Sequence, residues 1–246
     1  MKSSCKLAAV ILSAGRGKRM KSDLPKVLHE IGGRPMVHWV VDAAREVGAE
    51  PIVLTVGLGH KQIEVSLEGM GITFVLQDKP LGTAHAVEQT RSILSGFDGA
   101  ILVLSGDVPG ITARTIKTLC RYHEQTGAKA TMLTAELDDP TGYGRVIKDN
   151  DGHLLRVVEE RDATDEERAI REINGGIYIF DAQALFATLP LVKNNNKQNE
   201  YYLPDVLYIL REQNQLVAIE KADNYKEILG VNTTEELRRV HAKVFN

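Results

Sequence analysis

The chain has 246 residues, of which 43% are hydrophobic and 26% are charged, and its formal net charge is −3. These proportions are typical of a soluble globular protein with enough chain to bury a sizeable core in one large domain. They argue against a disordered chain and against a general nucleic-acid binder, which would usually be clearly basic.

The first half of the chain alternates short apolar runs with helical patterns. Near-continuous apolarity indicates strands buried on both faces, at Leu7–Leu12, Pro51–Val56, Ile72–Leu76 and Ala100–Leu104. Apolar residues at helical spacing predict helices between them, at Pro35–Val47, Lys61–Glu68, Thr83–Leu94 and Ala113–Gln125. This alternation predicts an α/β fold of Rossmann-like type, with a mainly parallel mixed sheet flanked by helices.

After about residue 128 the pattern becomes richer in strands. Strand-like runs lie at Ala130–Leu137, Gly144–Ile147, Leu154–Glu159, Ile173–Phe180 and Leu216–Ile219, and helices are predicted at Ala182–Thr188 and Leu203–Arg211. The last helix should begin at a capping box, with Thr233 as N-cap and Glu236 three residues on. We expect one domain over residues 1–246. It would comprise a first half that ends at about residue 128, a smaller mixed half over about 129–232 and a C-terminal helix over about 233–246.

The loop after the first strand concentrates positive charge. Gly15 and Gly17 let the backbone turn tightly and bring N–H groups close to an anion. The dinucleotide fingerprint fails because Met20 stands at its third glycine, and the P-loop pattern fails at Leu12 and Arg19. A phosphate-binding loop of another kind and a solvated basic turn both fit this pattern. The basic side chains of the loop are Arg16, Lys18, Arg19, Lys21 and Lys26.

Asp107 follows the buried run Ala100–Leu104 within Ser105-Gly-Asp-Val-Pro109. Open parallel sheets bind ligands at the carboxyl ends of their strands, and a carboxylate there suits Mg²⁺, which takes one or two protein oxygens and fills its other positions from phosphates and water. An ordinary aspartate in a turn before proline fits the sequence equally well.

Several runs, in this order, resemble a known family. Leu12-Ser-Ala-Gly-Arg-Gly-Lys-Arg-Met20 with Leu24-Pro-Lys26 resembles the signature loop of the sugar-1-phosphate nucleotidyltransferases. A further set narrows the resemblance to the uridyltransferase domain of the bifunctional bacterial N-acetylglucosamine-1-phosphate uridyltransferase/glucosamine-1-phosphate acetyltransferases. That set comprises Gln77 with Leu81-Gly-Thr83, Gly106-Asp107, Asp138-Asp-Pro-Thr-Gly-Tyr-Gly-Arg145, Val158-Glu159, Glu172-Ile-Asn174, Asn199-Glu-Tyr-Tyr202 and Gly230-Val-Asn232.

The resemblance implies a role for each matching residue, with nucleotide binding in the first half and sugar binding in the second. It implies that Arg19, Lys26 and Asp107 are catalytic, and that Asp107 and Asn232 hold Mg²⁺. The nucleotide would be bound by Leu12, Ser13, Ala14, Gly15, Arg19, Lys26, Gln77, Gly82, Thr83, Ser105, Gly106 and Asp107, with Gln77, Gly82 and Thr83 at the uracil. The sugar would be bound by Gly144, Glu159, Asn174, Tyr202 and Asn232.

The implied reaction is Mg²⁺-dependent uridylyl transfer from UTP to N-acetyl-α-D-glucosamine 1-phosphate, which gives UDP-N-acetylglucosamine and pyrophosphate. Two other hypotheses stay open: a different NTP or sugar 1-phosphate, and a catalytically silent nucleotide-sugar sensor. The sequence contains none of the hexapeptide repeats that build the family's trimer and its acetyl-transfer site. We therefore expect no acetyl transfer, and a monomer or dimer.

The two cysteines, Cys5 and Cys120, are too few for a disulfide framework or a four-cysteine zinc site, which favours a reducing, cytoplasmic location. No apolar run approaches the roughly 20 residues needed to span a membrane, so the expected partners are small-molecule substrates rather than lipids. The seven histidines show no metal-ligand spacing in the sequence.

Overall fold

The computed structural model of this chain describes residues 6–15, 17–57 and 59–245, with Lys18 described by its backbone alone. The strands, numbered in chain order, are β1 (Leu7–Ser13), β2 (Glu30–Ile31), β3 (Arg34–Pro35), β4 (Ile52–Val56), β5 (Ile72–Leu76), β6 (Ala100–Ser105), β7 (Ala130–Glu136), β8 (Arg145–Lys148), β9 (Leu154–Val158), β10 (Glu172–Asp181) and β11 (Val217–Lys221). The helices are α1 (Met36–Glu46), α2 (Lys61–Ser66), α3 (Thr83–Glu88), α4 (Arg91–Leu94), α5 (Ala113–Thr126), α6 (Asp165–Arg168), α7 (Ala182–Thr188), α8 (Asp205–Glu212) and α9 (Thr234–Val244).

The main sheet has the order β11-β7-β10-β6-β1-β4-β5, with β8 and β9 attached at the start of β10. The strands β6, β1, β4 and β5 are parallel to one another, whereas β10 runs antiparallel to both of its neighbours. The predicted fold class, a mainly parallel mixed sheet flanked by helices, is confirmed.

Both faces of the sheet are buried at its centre, as the continuous apolar runs predict for β1, β4 and β6. The predicted burial on both faces was wrong for Ile72–Leu76, because β5 is the last strand of the sheet and none of its residues is buried. Alternate residues of β1 face opposite sides: Ala9 and Ile11 pack with α1, α2, α5 and α9, whereas Ala8 and Val10 pack with α3, α4, α7 and α8. Within the described ranges, no helix is both long and apolar enough to cross a membrane.

Three local expectations were wrong in detail. The predicted helix Thr83–Leu94 is broken into α3 and α4, and the Thr90 hydroxyl at the break donates to Val87 O (2.7 Å). A threonine hydroxyl that bonds a nearby carbonyl competes with the helical pattern. The hairpin β2–β3 was missed, although its turn glycines Gly32 and Gly33 both have positive φ, which is a typical two-residue hairpin signal.

The third error concerns the capping box of α9. Thr233 caps the helix by accepting from Glu236 N–H (3.1 Å), as expected. The Glu236 carboxylate, however, accepts from the N–H of Asn232 (2.6 Å), one residue before the N-cap. A complete capping box occurs instead at α6, between Thr164 and Glu167.

The direction of β10 determines which residues lie beside the carboxyl ends of β1 and β6. Because β10 is antiparallel to β6, its amino end lies beside the carboxyl end of β6, where Ser105 Oγ donates to Gly176 O (3.3 Å). On its other side, the pairing of β10 with β7 shifts in register between Asn174 and Tyr178. Residues from the second half of the chain are thereby brought beside the loops that follow β1 and β6.

Candidate active site

A cavity of about 250 Å³ opens at the carboxyl ends of β1, β5 and β6. The residues predicted for the nucleotide that line this cavity are Leu12, Ser13, Ala14, Gly15, Lys26, Gln77, Gly82, Thr83, Ser105 and Asp107. Val27, Pro80, Ala86 and Glu200 complete the lining, and the sequence did not single them out individually. Arg19 and Gly106 do not line the cavity. A crevice at the carboxyl ends of parallel strands is where this kind of sheet binds ligands.

Two cations and two side-chain oxygens meet beside the cavity, which Lys26 and Asp107 line. The Lys26 ammonium forms an ion pair with the Asp107 carboxylate and donates to Asn232 Oδ1 (3.2 Å). The Arg19 guanidinium donates to the same oxygen of Asn232 (3.0 Å). The structure thus brings the three predicted catalytic residues together with Asn232, which was predicted for both the metal and the sugar.

Backbone contacts hold Asn232 beside Asp107. The N–H of Val231 donates to Asp107 O (3.0 Å), which joins the segment before α9 to the end of β6. The contact of Asn232 N–H with Glu236 then ties this segment to the first turn of α9. The bond between Val231 and Asp107 connects residues more than a hundred positions apart in the chain, so local sequence pattern carries no signal for it.

The oxygens of Asp107 and Asn232 fit a divalent cation. Both converge on one positive group, the Lys26 ammonium. A carboxylate and an amide oxygen are ligands of the hard type that Mg²⁺ takes together with phosphate oxygens and water. Displacement of Lys26 and Arg19 toward a bound phosphate would leave both oxygens available to a metal ion.

Gly17 allows the loop after β1 to pass close to Lys26. Its φ is +57°, and a Cβ at this position would lie 2.8 Å from Lys26 Cβ. Glycine is therefore required here both by conformation and by space. At Gly15 the nearest atom to such a Cβ is Lys26 Cε at 3.9 Å, so that position has room. Arg16 and the side chain of Lys18, which were part of the predicted basic loop, lie outside the described residues.

Ser13 faces the cavity with its backbone rather than its hydroxyl. Its Oγ is buried without a hydrogen-bond partner among the described residues. A Cβ on Gly106 would collide with this oxygen, so glycine is required at that position by space.

The amide group of Gln77 has a defined orientation. Its Nε2 donates to Gly82 O (3.0 Å) and lies 2.9 Å from Nδ1 of His85. A carbonyl can only accept, so the Gly82 contact identifies the amide nitrogen of Gln77. Burial lowers the pKa of His85, with Glu88 opposing that shift, which favours the neutral imidazole. The Gln77 carbonyl oxygen is left as the group that can meet a ligand.

The segment around Tyr201 joins the nucleotide side to the sugar side. Tyr201 N–H donates to Leu81 O (2.7 Å), and Ala84 N–H donates to Tyr201 O (2.9 Å). Gly82 has φ +114°, and a Cβ there would collide with the Tyr201 backbone. Thr83 Oγ1 accepts from Leu203 N–H (2.9 Å), so two predicted uracil residues lie against this segment.

Gly144, Glu159 and Asn174, all predicted for the sugar, lie together. Asn174 N–H donates to Gly144 O (2.9 Å), and a Cβ on Gly144 would lie 3.1 Å from Glu159 Oε1. The Asn174 side chain contacts the Tyr178 hydroxyl (2.7 Å from Nδ2) and accepts from Gly176 N–H (3.0 Å). These contacts hold the Asn174 side chain in place, and Gly144 adjoins both the Asn174 backbone and the Glu159 carboxylate.

Acidic groups surround Glu159. Burial, followed by the charges of Asp162, Asp205 and Glu200, raises the pKa of Glu159 to about 7, and Arg145 opposes the shift. Burial and the charge of Asp162 raise the pKa of Asp205 to about 6. Sequence reasoning missed Asp162 and Asp205. Glu200 lies inside a run that was used for the resemblance, so a signal for it existed.

Tyr202 belongs to the same group. Its hydroxyl donates to Asp162 Oδ2 (3.2 Å) and accepts from Gln198 Nε2 (2.6 Å). Burial comes first among the causes that raise the pKa of Tyr202 to about 12, and the charges of Asp162 and Glu159 add to it.

The β8–β9 turn brings one histidine close to two acids, which the spacing of histidines in the sequence did not indicate. Ligand atoms of Asp149, Asp151 and His153 lie within 4.8 Å of one another. Asp149 Oδ1 accepts from the backbone N–H groups of Asp151 (3.0 Å) and His153 (2.9 Å), so ordinary turn bonds account for this cluster.

The chain matches known proteins over most of its length. The family model described as "MobA-like NTP transferase domain" matches residues 9–177. A Bacillus licheniformis protein named Bifunctional protein GlmU is 49% identical over 224 residues, which are 91% of this chain and 49% of that protein. The protein of the same name from Bacillus cytotoxicus is 47% identical over the same coverage. The chain spans about half the length of the curated relatives it matches.

Solved structures support the same assignment at the level of the fold. A Bacillus anthracis protein described as a glucose-1-phosphate thymidylyltransferase, solved in complex with sucrose, has a TM-score of 0.80 at 20% identity and covers 97% of this chain and 95% of its own. A UDP-glucose pyrophosphorylase complexed with UDP-glucose has a TM-score of 0.77 at 16% identity, covering 98% of each chain. Given the family match over residues 9–177, the chain belongs to the MobA-like NTP transferase domain family, within the nucleotidyltransferase superfamily.

Proposed function

We propose that the protein transfers a uridylyl group from UTP to N-acetyl-α-D-glucosamine 1-phosphate, with UDP-N-acetylglucosamine and pyrophosphate as products. The observation that carries the proposal is the contact of one ammonium, Lys26, with both Asp107 and Asn232 beside the cavity. The GlmU relatives support the choice of substrates.

The triphosphate would lie along the loop after β1. The backbone of Leu12 to Gly15 lines the cavity, and Lys26 and Arg19 stand at the side where negative charge would collect. Both cations would bind the triphosphate and then the departing pyrophosphate. In many enzymes, fixed positive groups placed where negative charge develops make the largest single contribution to stabilising the transition state.

The orientation of Gln77 favours a base with a hydrogen-bond donor at N3. Both hydrogens of its amide are engaged by Gly82 and His85, so its carbonyl oxygen would accept from the base. Uracil offers an N–H at this position, whereas cytosine offers an unprotonated nitrogen that would repel the carbonyl. A mismatched hydrogen-bonding group leaves a buried polar atom unpaired, which is how sites of this kind discriminate.

The sugar phosphate would bind between the cation cluster and Glu159. Glu159 and Asn174 offer a carboxylate and an amide to the sugar hydroxyls and the acetamide, with Gly144 and Tyr202 beside them. A phosphate oxygen of the sugar phosphate then attacks the α-phosphorus of UTP. The bond from that phosphorus to the bridging oxygen breaks, and pyrophosphate leaves on the opposite side. The attacking group is already an anion near pH 7, so catalysis rests on positioning and charge neutralisation.

Mg²⁺ would be held by Asp107 and Asn232. When bound, it supplies positive charge that stabilises the leaving pyrophosphate. The cytoplasmic location and a monomeric or dimeric state remain predictions.

A pyrophosphate-release assay tests the proposal. Each of the four NTPs is combined with glucose, galactose, N-acetylglucosamine and N-acetylgalactosamine 1-phosphates, with Mg²⁺ and with EDTA. We expect release with UTP and N-acetylglucosamine 1-phosphate, at least about 100-fold above CTP, and none with EDTA. Release with another pair would identify a different nucleotidyltransferase, whereas binding of UDP-N-acetylglucosamine without release from any pair would identify a sensor.

A further inference from the structure

We propose that Asp162 is a positioning residue for the sugar side of the site, which clamps the loop 196–202 against the turn that carries Glu159. The inference rests on the proposed function, because it concerns the subsite that would hold the sugar phosphate. It arises from contacts between two loops that are more than thirty residues apart in the chain.

Asp162 belongs to the same turn as Glu159. The N–H groups of Asp162 and Ala163 both donate to Glu159 O, at 2.9 and 3.0 Å. Any movement of the Asp162 backbone is therefore transmitted directly to Glu159. The side chain of Asp162 leaves this turn toward the loop 196–202.

Both carboxylate oxygens of Asp162 reach that loop. Oδ1 accepts from Lys197 N–H (2.9 Å), and Oδ2 accepts from the Tyr202 hydroxyl (3.2 Å). The Lys197 ammonium adds a third contact between the loop and the turn by donating to Arg161 O (2.8 Å). Hydrogen bonds to a charged acceptor are roughly twice as strong as neutral ones, so the carboxylate is the main element of the clamp.

The loop between these contacts is internally braced. Asn196 Oδ1 accepts from the N–H groups of Gln198 (3.2 Å) and Glu200 (3.1 Å), and Asn196 Nδ2 donates to Glu200 O (2.6 Å). Next to Tyr202, the backbone of Tyr201 is bonded to Leu81 and Ala84. A braced loop with these anchors moves as a unit, so Asp162 sets the positions of Lys197 and Tyr202.

The clamp determines how Tyr202 meets a sugar. The Tyr202 hydroxyl donates a hydrogen bond to Asp162, and Gln198 donates one to the hydroxyl oxygen. The Tyr202 ring is thereby held in one orientation near Glu159. The Asp162 charge also adds to the raised pKa of Glu159, together with Asp205 and Glu200 and against Arg145.

The test compares three variants in the pyrophosphate-release assay. Asp162→Ala removes the clamp, Asp162→Asn keeps an acceptor without the charge, and Asp165→Asn is the matched control, since Asp165 is three residues on with its side chain 95% exposed. For Asp162→Ala we expect KM for the sugar phosphate to rise roughly tenfold and KM for UTP to change less than about twofold. Asp162→Asn should be intermediate, and Asp165→Asn should match the wild type.

Hydrogen exchange gives a readout that does not depend on activity. In Asp162→Ala the Lys197 amide should exchange faster, whereas the Tyr201 amide, bonded to Leu81 O, should stay protected and report that the fold is intact. A double variant of Asp162→Ala with Tyr202→Phe should lose less than the product of the two single losses, because the two residues act through one contact.

Two results would overturn the inference: an unchanged sugar-phosphate KM in Asp162→Ala, or equal increases in KM for both substrates. If the wild-type protein releases no pyrophosphate from any pair, the proposed function fails instead. The clamp would then still be judged by the exchange of the Lys197 amide.

Discussion

At the scale of single residues, Asp107 has the central position in the site. Its carboxylate pairs with Lys26, and its carbonyl accepts from Val231, so side chain and backbone hold different parts of the cluster. Substitution removes the first contact and leaves the second in place. The effect of a side-chain change on activity can therefore be separated from its effect on folding.

Asp107→Ala should lower turnover roughly 10³-fold, which corresponds to about 4 kcal/mol of activation free energy. Asn232→Ala should have a smaller effect, because it removes a neutral ligand rather than an anionic one. Turnover across a Mg²⁺ titration, with thermal melting of both variants, measures this. Near-normal turnover by folded Asp107→Ala at ordinary Mg²⁺ would mean that the metal is held elsewhere.

The buried hydroxyl of Ser13 provides a test of how the loop binds. If the nucleotide meets only the backbone of this residue, Ser13→Ala should leave KM for UTP unchanged. The variant should also be more stable by about 1 kcal/mol, because an unpaired buried hydroxyl costs on this order. Chemical denaturation and UTP kinetics check both parts, and a large rise in KM would show that the hydroxyl contacts the ligand.

Glu159 makes stability depend on pH. Below about pH 4 the carboxyl is protonated in the folded and the unfolded chain alike. As the pH rises toward 7, the unfolded chain loses this proton first, because the folded pKa is about 7, so the carboxyl increasingly lowers the free energy of unfolding. Glu159→Gln should therefore melt higher than the wild type at pH 8 and equally at pH 4. Glu68→Gln, at an exposed carboxyl, is the control, and equal differences at both pH values would contradict the assignment.

At the scale of elements, the loop after β1 contains two glycines, and one of them, Gly17, is required by the backbone conformation of the loop. Gly17→Ala places a methyl group against Lys26 at positive φ, so we expect a loss of about 1–2 kcal/mol in stability and a displaced Lys26. Gly15→Ala, where there is room, is the matched control for stability. Equal melting temperatures for the two variants would show that the loop does not need this conformation.

At the scale of the whole molecule, one sheet edge carries both sides of the site because β10 runs against β6. A ligand that spans both sides should stabilise the fold more than one that occupies the nucleotide side alone, since binding to the native state adds about 2.7 kcal/mol at a hundredfold excess over Kd.

UDP-N-acetylglucosamine should accordingly raise the melting temperature more than UDP does. In Asn174→Ala the extra shift should shrink, while the shift with UDP stays, because the amide contributes to the sugar side alone. Losing one buried partner costs about 1–3 kcal/mol, or roughly 5- to 150-fold in affinity. Each variant is compared with its own unliganded melting temperature. A reduced shift with UDP would place Asn174 on the nucleotide side.

The sequence by itself determined most of the strands and helices, the parallel first half and the order of the motif residues. Burial on both sheet faces requires continuous apolar runs, and these can be read directly, as at β1 and β4. The helix break at Thr90 and the contact of the Glu236 carboxylate with the N–H of Asn232 instead of Thr233 were less predictable, because each depends on where one hydrogen bond goes among near-equal choices.

Only the tertiary structure decided which motif residues touch. Asn232 lies beside Asp107 because Val231 bonds the end of β6, and Asp162 contacts Tyr202 because two loops meet over the same sheet edge. The local sequence pattern indicates how deeply a segment is buried and which backbone conformation it prefers. Contacts between distant loops depend instead on the direction and order of all the strands between them, which no single segment encodes.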